Sequence, residues 1–297
     1  MLQKLILNSV CFLESDVSRH HYCGISSDME KFLTRIGAEE FKEWNERMVK
    51  KYDPEAFHYY SNPLICFVER GRVTAIVKLM DIHRETSVLE VGCGAGNVIE
   101  ETRFWKLFGV DISPSILTRA KQKLNNRVDL FQGDAQILPC KDEVFTQVIC
   151  SEVLEHLLSP SEALREMARI LEPGGVAIVS VPNETLINRT KKILLRLRIF
   201  HRLMTQKGEY REMPEKMEDE WHLHTYPLRD WLNLFSKFFR VVRLRRIPFV
   251  WLPLRYVVQL EKRNWTNPFD SPVQRPELAR GSPWAGWTGE PRNDPTS

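Results

Sequence analysis

The sequence predicts an α/β fold, in which a mostly parallel sheet carries helices on both faces. Three observations lead there. Short β-branched runs alternate with amphipathic ones from residue 87 to residue 182, several of the strand-like runs end on an acidic or small polar residue, and the first runs into a glycine cluster, GCGAG at 92–96. Alternation of this kind implies βαβ units, hence a buried parallel sheet covered on both sides. Such a sheet binds ligands beyond the carboxyl ends of its strands.

Taken in order, residues 28–80 read as helices beside a core. Phe32, Ile36, Phe41 and Trp44 recur at near-helical intervals, and ICFVERGRVTAIVKLM continues after Pro63. The alternation then begins with strand SVLEV (87–91) and a helix expected from Gly96. Strand LFGVDI (107–112), helix PSILTRAKQKL (114–124) and strand VDLFQG (128–133) follow. Strand VFTQVICSE (144–152), helix SEALREMARIL (161–171) and strand VAIVSVP (176–182) complete the series. Beyond Pro182 the rhythm breaks and resumes with helix PLRDWLNLFSKF and two strand-like runs, RVVRLRRI and RYVVQLEK. The expected organisation is an N-terminal helical extension over 1–60 and a main domain over 61–263 with an insertion at about 184–224. A disordered tail is expected over 264–297, where six prolines interrupt any periodicity.

Composition excludes several classes. Forty-two basic residues stand against 39 acidic, for a net charge of +3, so charge alone announces no nucleic-acid binder. The six cysteines are scattered, with no zinc spacing, and read as reduced thiols of a cytoplasmic protein. No uncharged apolar run nears the roughly 18 to 20 residues of a membrane-spanning helix. The N-terminal LILNSVCFL lacks a small-x-small cleavage site and is not read as a signal peptide.

Gly92, Gly94 and Gly96 form G-x-G-x-G, whereas a dinucleotide fingerprint would put its third glycine where Asn97 stands. The turn therefore suits close backbone approach of a ligand better than a pyrophosphate cradle. Glu90 ends the first strand, where a carboxylate can meet an ammonium. Asp111 ends the second, where it can accept both hydroxyls of a ribose. Asp134 and Ala135 follow the third, able to read the edge of an adenine. Each acid alone is as readily a cap or turn residue, but several strand ends in register carry more weight.

Together VLEVGCGAG, GVDISPSILTRAK, GDAQILP, VICSEVLEHL and ILEPGGVAIVSVPN resemble the successive motifs of class I S-adenosylmethionine-dependent methyltransferases, most nearly the small-molecule type that includes ubiquinone-biosynthesis O-methyltransferases. The resemblance covers residues 85–183. It implies a Rossmann-like seven-stranded sheet whose last strand is antiparallel, and S-adenosyl-L-methionine as cofactor. It also implies that Glu90, Gly92, Cys93, Gly94 and Gly96 face the methionine part. Asp111 and Ile112 would take the ribose and adenine, Asp134 and Ala135 the adenine amino group, and Ser151 and Glu152 the methyl-donor cleft.

Methyl transfer from a sulfonium is an in-line displacement that chiefly needs a close, dry approach. A hydroxyl acceptor also needs its proton removed. His156, just past the fourth strand, and His222 are the candidate catalytic residues, each as readily a structural histidine. His222 and His224 alternate in WHLHTY and are expected on one side of an extended segment, but no third metal ligand suggests itself, so no metal is expected. The [DNS]-P-P-[YFW] signature of nitrogen methylation is missing, and Cys140 of the Pro-Cys pair reads as a packing residue. LINRTKKILLRLRIFHRLMTQK carries seven basic residues and no acidic ones, a basic amphipathic helix. It suits a lid, or a peripheral membrane contact through 186–204 that admits a lipid-linked acceptor. The reading is O-methylation of a small-molecule or lipid-like acceptor. The alternatives are an RNA methyltransferase using Arg240, Arg243, Arg245 and Arg246, disfavoured for want of an RNA-binding module, and a non-catalytic cofactor-binding protein.

Overall fold

In a computed structural model of the chain, the structure describes residues 38–52, 63–80, 86–102, 106–125, 127–198 and 222–263. Helices α1 (Ala38–Tyr52) and α2 (Pro63–Leu79) precede strand β1 (Ser87–Val91). Strand β2 (Lys106–Asp111), helix α3 (Pro114–Leu124), β3 (Asp129–Gln132) and β4 (Phe145–Ser151) follow. Then come α4 (Pro160–Ile170), β5 (Leu171–Pro182), α5 (Glu184–Arg196), α6 (Leu228–Ser236), β6 (Phe239–Phe249) and β7 (Leu252–Lys262).

These strands form one seven-stranded sheet in the order β3-β2-β1-β4-β5-β7-β6. Strands β1 to β5 pair in parallel, and β7 runs antiparallel between β5 and β6. This is the Rossmann-like arrangement expected, with the terminal hairpin supplying the antiparallel strand. The order also reverses beside β1, where β2 lies on one side and β4 on the other. The carboxyl ends of β1 and β4 are thus the place where a crevice opens in an open α/β sheet.

Alternation along each strand divides the core. Leu89, Val91, Phe108, Val110, Val148 and Cys150 pack on one face with Phe41 and Trp44 of α1, Leu164 and Met167 of α4, and Trp231 and Phe235 of α6. Val88, Leu107, Ile149, Ile178 and Val257 point to the other face, against Ile76 and Leu79 of α2 and Ala120 and Leu124 of α3. Since successive side chains alternate, Glu90, Asp111, Ser151 and Ser180 must share this second face. Proline starts α2, α3 and α4, where the missing N–H costs nothing. The Ser113 hydroxyl caps α3 by accepting from Ile116 N–H, and Asn125 ends it in the left-handed conformation.

Three expectations change. The helix expected from Gly96 is a single 3-10 turn, Ile99–Glu101. Ile99 and the flanking Val98 and Thr102 are β-branched and favour helix poorly. The Glu90 carboxylate accepts the Ile99 N–H at 3.0 Å and anchors the turn to β1. Helix α1, assigned by the sequence to an extension, packs into the main core through Phe41 and Trp44. Its Glu46 also accepts a hydrogen bond from the Ser113 hydroxyl. Helix α5 stops at Arg196, and Arg198 is left-handed at φ 55°. The expected tail over 264–297, residues 1–37 of the expected extension and residues 199–221 of the insertion expected at about 184–224 lie outside the described residues.

Candidate functional site

A cavity of about 380 Å³ opens at the carboxyl ends of β1, β2 and β4, within the size range of small-ligand sites. Its wall contains Glu90, Gly92, Cys93, Gly94, Asp111, Ile112, Asp134, Ala135, Ser151, Glu152, His156 and His222. Gly96 is not among the lining residues. It stands at φ +79°, and a Cβ there would lie 2.7 Å from Leu124 Cδ1, so its bareness serves the packing of α3.

The glycine turn has two constraints. Gly92 (φ +68°) lies so close to Val153 that a Cβ would meet Val153 Cγ2 at 2.3 Å. A Cβ on Gly94 would meet only Ile116 Cδ1, at 3.7 Å, so the backbone there is open. Asp111 Oδ2 accepts the Gly94 N–H at 2.9 Å, and Asp111 Oδ1 accepts the Ser113 N–H at 2.9 Å. Each oxygen keeps a lone pair for a ligand while the carboxylate is held by backbone on both sides. Burial pushes the Asp111 carboxyl up, against those two backbone N–H groups. Burial raises Glu90 further, to about 8, opposed by the Ile99 N–H and the more distant charge of Arg72. A carboxyl this reluctant to ionise, lining a cavity, is a place for a ligand cation. Asp134 Oδ1 accepts from the Gln136 N–H at 2.8 Å and its side-chain amide at 3.2 Å, which closes the GDAQ turn.

Behind the β4 end the structure shows a ring of buried and half-buried polar groups. Arg72 donates to Glu69 Oε2 at 2.8 and 3.0 Å and to the Ser151 hydroxyl. The Ser151 and Ser180 hydroxyls are 3.1 Å apart, and Ser180 donates to Glu152 Oε1 at 2.9 Å. Arg255 closes the ring, 2.7 Å from Glu152 Oε2 and 3.5 Å from Glu69 Oε1. Glu69, Arg72, Glu152 and Arg255 all line the cavity. Sequence reading found only Ser151 and Glu152. The missed signal is E-R-G-R inside the apolar helix α2, an acid and a base three residues apart that share one face.

The other end of the cavity carries imidazoles. The rings of His156 and His222 meet edge to face, with centroids 4.7 Å apart. The Glu184 carboxylate lies 2.7 Å from His222 Nδ1, and that imidazole holds the Glu184 carboxyl below its ordinary value against the effect of burial. Glu155, another residue the sequence reading missed, is fully buried beside His156, and burial together with the charge of Glu152 pushes its carboxyl well up. His224 parts company with His222: it is absent from the cavity wall, and its Nε2 lies 2.9 Å from the Leu157 carbonyl. Both histidines were expected on one side of an extended segment. Main-chain bonds from Leu223 and His224 N–H to the Glu155 carbonyl turn this segment inward instead. Phe41 and Val49 of α1, Leu64, Ile65 and Val68 of α2, and Ile187 and Leu194 of α5 supply the apolar wall.

A family model described as a methyltransferase domain matches residues 89–179. An uncharacterized protein of Methanocaldococcus jannaschii is 31% identical over 160 residues, which are 53% of this chain and 68% of that protein. The chain belongs to the class I S-adenosylmethionine-dependent methyltransferases. Among other relatives, the demethylmenaquinone methyltransferase of Bacillus mycoides is 32% identical over 114 residues, 34% of this chain and 47% of that one. The ubiquinone biosynthesis O-methyltransferase of Rickettsia typhi is 24% identical over 164 residues, 51% and 64%. The chain thus spans less than two thirds of either of these enzymes. A methyltransferase from Thermotoga maritima shares the fold with a TM-score of 0.53 at 19% identity, covering 75% of this chain and all of that one. So does the N-methyltransferase NodS of Bradyrhizobium japonicum, solved with S-adenosyl-L-homocysteine, at TM-score 0.51 and 16% identity, covering 75% and 99%.

The cofactor of this methyltransferase is S-adenosyl-L-methionine, and the residues present suit it. The open backbone at Gly94, the backbone-held carboxylate of Asp111 and the buried Glu90 are compatible with a ligand that has hydroxyls and positive centres and no phosphate. Among the described residues no helix is long and apolar enough to cross a membrane.

Proposed function

We propose that this methyltransferase acts at oxygen on a small-molecule or lipid-like acceptor. The observation that carries the reading is the make-up of a single cavity, which joins strand-end carboxylates to a pair of imidazoles under an apolar wall. Bound S-adenosylmethionine supplies an activated methyl group on sulfur. Glu90 would meet its positive end, with Gly92, Cys93 and Gly94 against the methionine part. Asp111 and Ile112 would take the ribose and adenine, and Asp134 and Ala135 the adenine edge. Ser151 and Glu152, fixed by the polar ring, would wall the transfer cleft.

His156 and His222 stand where an acceptor hydroxyl can be oriented and relieved of its proton. Glu184 fixes the His222 ring, so that imidazole arrives with its orientation set. The named O-methyltransferase among the relatives supports oxygen as the acceptor atom. Helix α5 would serve as a lid: Ile187 and Leu194 face the cavity while Arg189, Lys192 and Arg196 face out. That outer face suits peripheral contact with an anionic membrane surface from the cytoplasmic side. The buried free thiols of Cys93, Cys140 and Cys150 accord with a reducing compartment.

The test is transfer of tritiated methyl from S-adenosylmethionine to cell extract separated into lipid, small-molecule, RNA and protein pools. Label in the lipid or small-molecule pool, lost in His156→Ala and His222→Ala, is the expected result. Label confined to RNA or protein would sink the reading. Calorimetry with S-adenosylmethionine tests the cofactor contacts separately: Asp111→Ala binding as tightly as wild type removes Asp111 from the site.

A further inference from the structure

We propose that Glu155, His156 and His222 form a site for one divalent transition-metal ion at the acceptor end of the cavity. Each offers one ligand atom, and the three atoms all lie within 4.8 Å of one another. All three residues line the cavity. The sequence alone offered two histidines and no third ligand; folding brings the Glu155 carboxylate to them.

The carboxylate itself is an independent sign of a cation site. Glu155 is 0% exposed, and neither of its carboxylate oxygens has a hydrogen-bond partner among the described residues. Burying a carboxylate without donors is costly, and such groups are ordinarily paired or bound to metal. The neighbouring guanidinium of Arg255 is engaged by Glu152 and Glu69.

The surroundings are organised as a metal site requires. The Glu184 carboxylate lies 2.7 Å from His222 Nδ1, behind the ring, where a carboxylate orients a metal-binding imidazole that ligates through Nε2. The Glu155 carbonyl accepts from Leu223 N–H at 2.8 Å and His224 N–H at 3.1 Å, so the segment bearing His222 is tied to the residue bearing the carboxylate. His156 Nε2 stands 4.0 Å from Glu155 Oε1. An ion held at about 2.0 to 2.2 Å brings neighbouring ligand atoms to roughly 3 to 3.5 Å of one another, so side-chain rotations of an ångström or so close the site.

Two imidazoles and one carboxylate suit Zn²⁺, Fe²⁺ or Mn²⁺ and leave coordination positions open toward the cavity. The use of such an ion rests on the methyl-transfer reading. An acceptor hydroxyl oxygen bound there releases its proton to solvent more readily. The oxygen–carbon bond then forms as the carbon–sulfur bond breaks, giving methyl ether, S-adenosylhomocysteine and the released proton.

The experiment uses the full chain stripped with chelator and dialysed against Zn²⁺, with Co²⁺ absorption as a second probe of the ligand set. One ion per chain is expected, with binding weakened about 100-fold or more in Glu155→Gln and in His222→Ala. His156→Ala, which alters a partly exposed ring, replaces Glu155→Gln if that variant does not fold. No stoichiometric Zn²⁺ in wild type, or equal binding in the variants, overturns the proposal. Zn²⁺ bound through these residues without methyl transfer to any pool keeps the site and sinks the function. Full methyl transfer by protein shown to be metal-free keeps the function and sinks the ion's part in it.

Discussion

Arg255 Nε stands 2.7 Å from Glu152 Oε2, joining the antiparallel strand β7 to the end of β4 across the floor of the cavity. Its other arm reaches Glu69 on α2, so one guanidinium ties three elements together. Removing one partner of a buried ion pair leaves the other charge unanswered, at a cost of about 3 to 5 kcal/mol. Arg255→Met should lower stability by that order in urea unfolding and weaken S-adenosylmethionine binding through displaced Glu152. Glu69→Gln strips the buried Arg72 of its carboxylate partner and should cost as much in stability, but it leaves Arg255 its contact with Glu152 and so should weaken binding less.

The contact between Gly92 and Val153 makes a second prediction, because it separates packing from ligand contact. A Cβ at Gly92 meets Val153 Cγ2 at 2.3 Å, and the positive φ adds strain of its own. Gly92→Ala should therefore destabilise by about 2 to 4 kcal/mol. Adding Val153→Ala removes the contacts at 2.3 and 3.0 Å and keeps the one to Cβ at 3.2 Å, so it should recover most of the steric part and leave about 1 kcal/mol or more from the backbone conformation. A double variant no more stable than Gly92→Ala alone would show that the turn fails for another reason.

Much of the fold was legible because it is written in local periodicity. The alternation 87–182 marks five strands, and Glu90, Asp111 and Asp134 sit at strand ends by counting alone. What was not legible depends on contacts far apart in sequence. Glu69 and Arg255 are separated by most of the chain, and each looks like a solvated charge until the sheet brings them together. Glu155 reads as an ordinary turn acid in SEVLEHL, yet its side chain is fully buried. Likewise α1 shows the apolar spacing of any amphipathic helix; that it covers the sheet next to the glycine turn follows only from Phe41 and Trp44 joining the core. The 3-10 turn after Gly96 was misread because glycine-to-helix is the common continuation, whereas here Glu90 captures the Ile99 N–H first.

Glu90 gives the third prediction, in pH. Its carboxyl is raised to about 8 in the folded chain from an ordinary 4.5, so protonation favours the folded state. That contribution is fully present below about 4.5 and is lost as pH rises through about 8. Relative to Glu90→Gln, the ligand-free wild type should lose stability steadily across this window, as thermal unfolding at a series of pH values will measure. A ligand cation prefers the ionised carboxylate, so affinity for S-adenosylmethionine should rise with pH up to about 8 in wild type and stay flat in Glu90→Gln. Parallel pH profiles for the two proteins would remove Glu90 from contact with the positive end of the cofactor.

The outer face of α5 yields the last prediction. Arg189, Lys192 and Arg196 are exposed there beside Ile193, and Leu197 and Arg198 are exposed just past the helix end; Ile193 and Leu197 are 52% and 60% exposed. Basic side chains flanking bare aliphatic ones are what an anionic lipid surface holds, with about 1 kcal/mol per basic residue near the headgroups. The inner residues Ile187 and Leu194 line the cavity, so lipid contact and access for an apolar acceptor would fall on opposite sides of one helix. Flotation with vesicles rich in anionic lipid should therefore recover the wild type and lose Lys192→Glu/Arg196→Glu/Arg198→Glu, while calorimetry with S-adenosylmethionine stays unchanged. Vesicles of neutral lipid should recover neither protein. Equal flotation of the wild type and the triple variant on anionic vesicles would leave α5 as a lid without a membrane role.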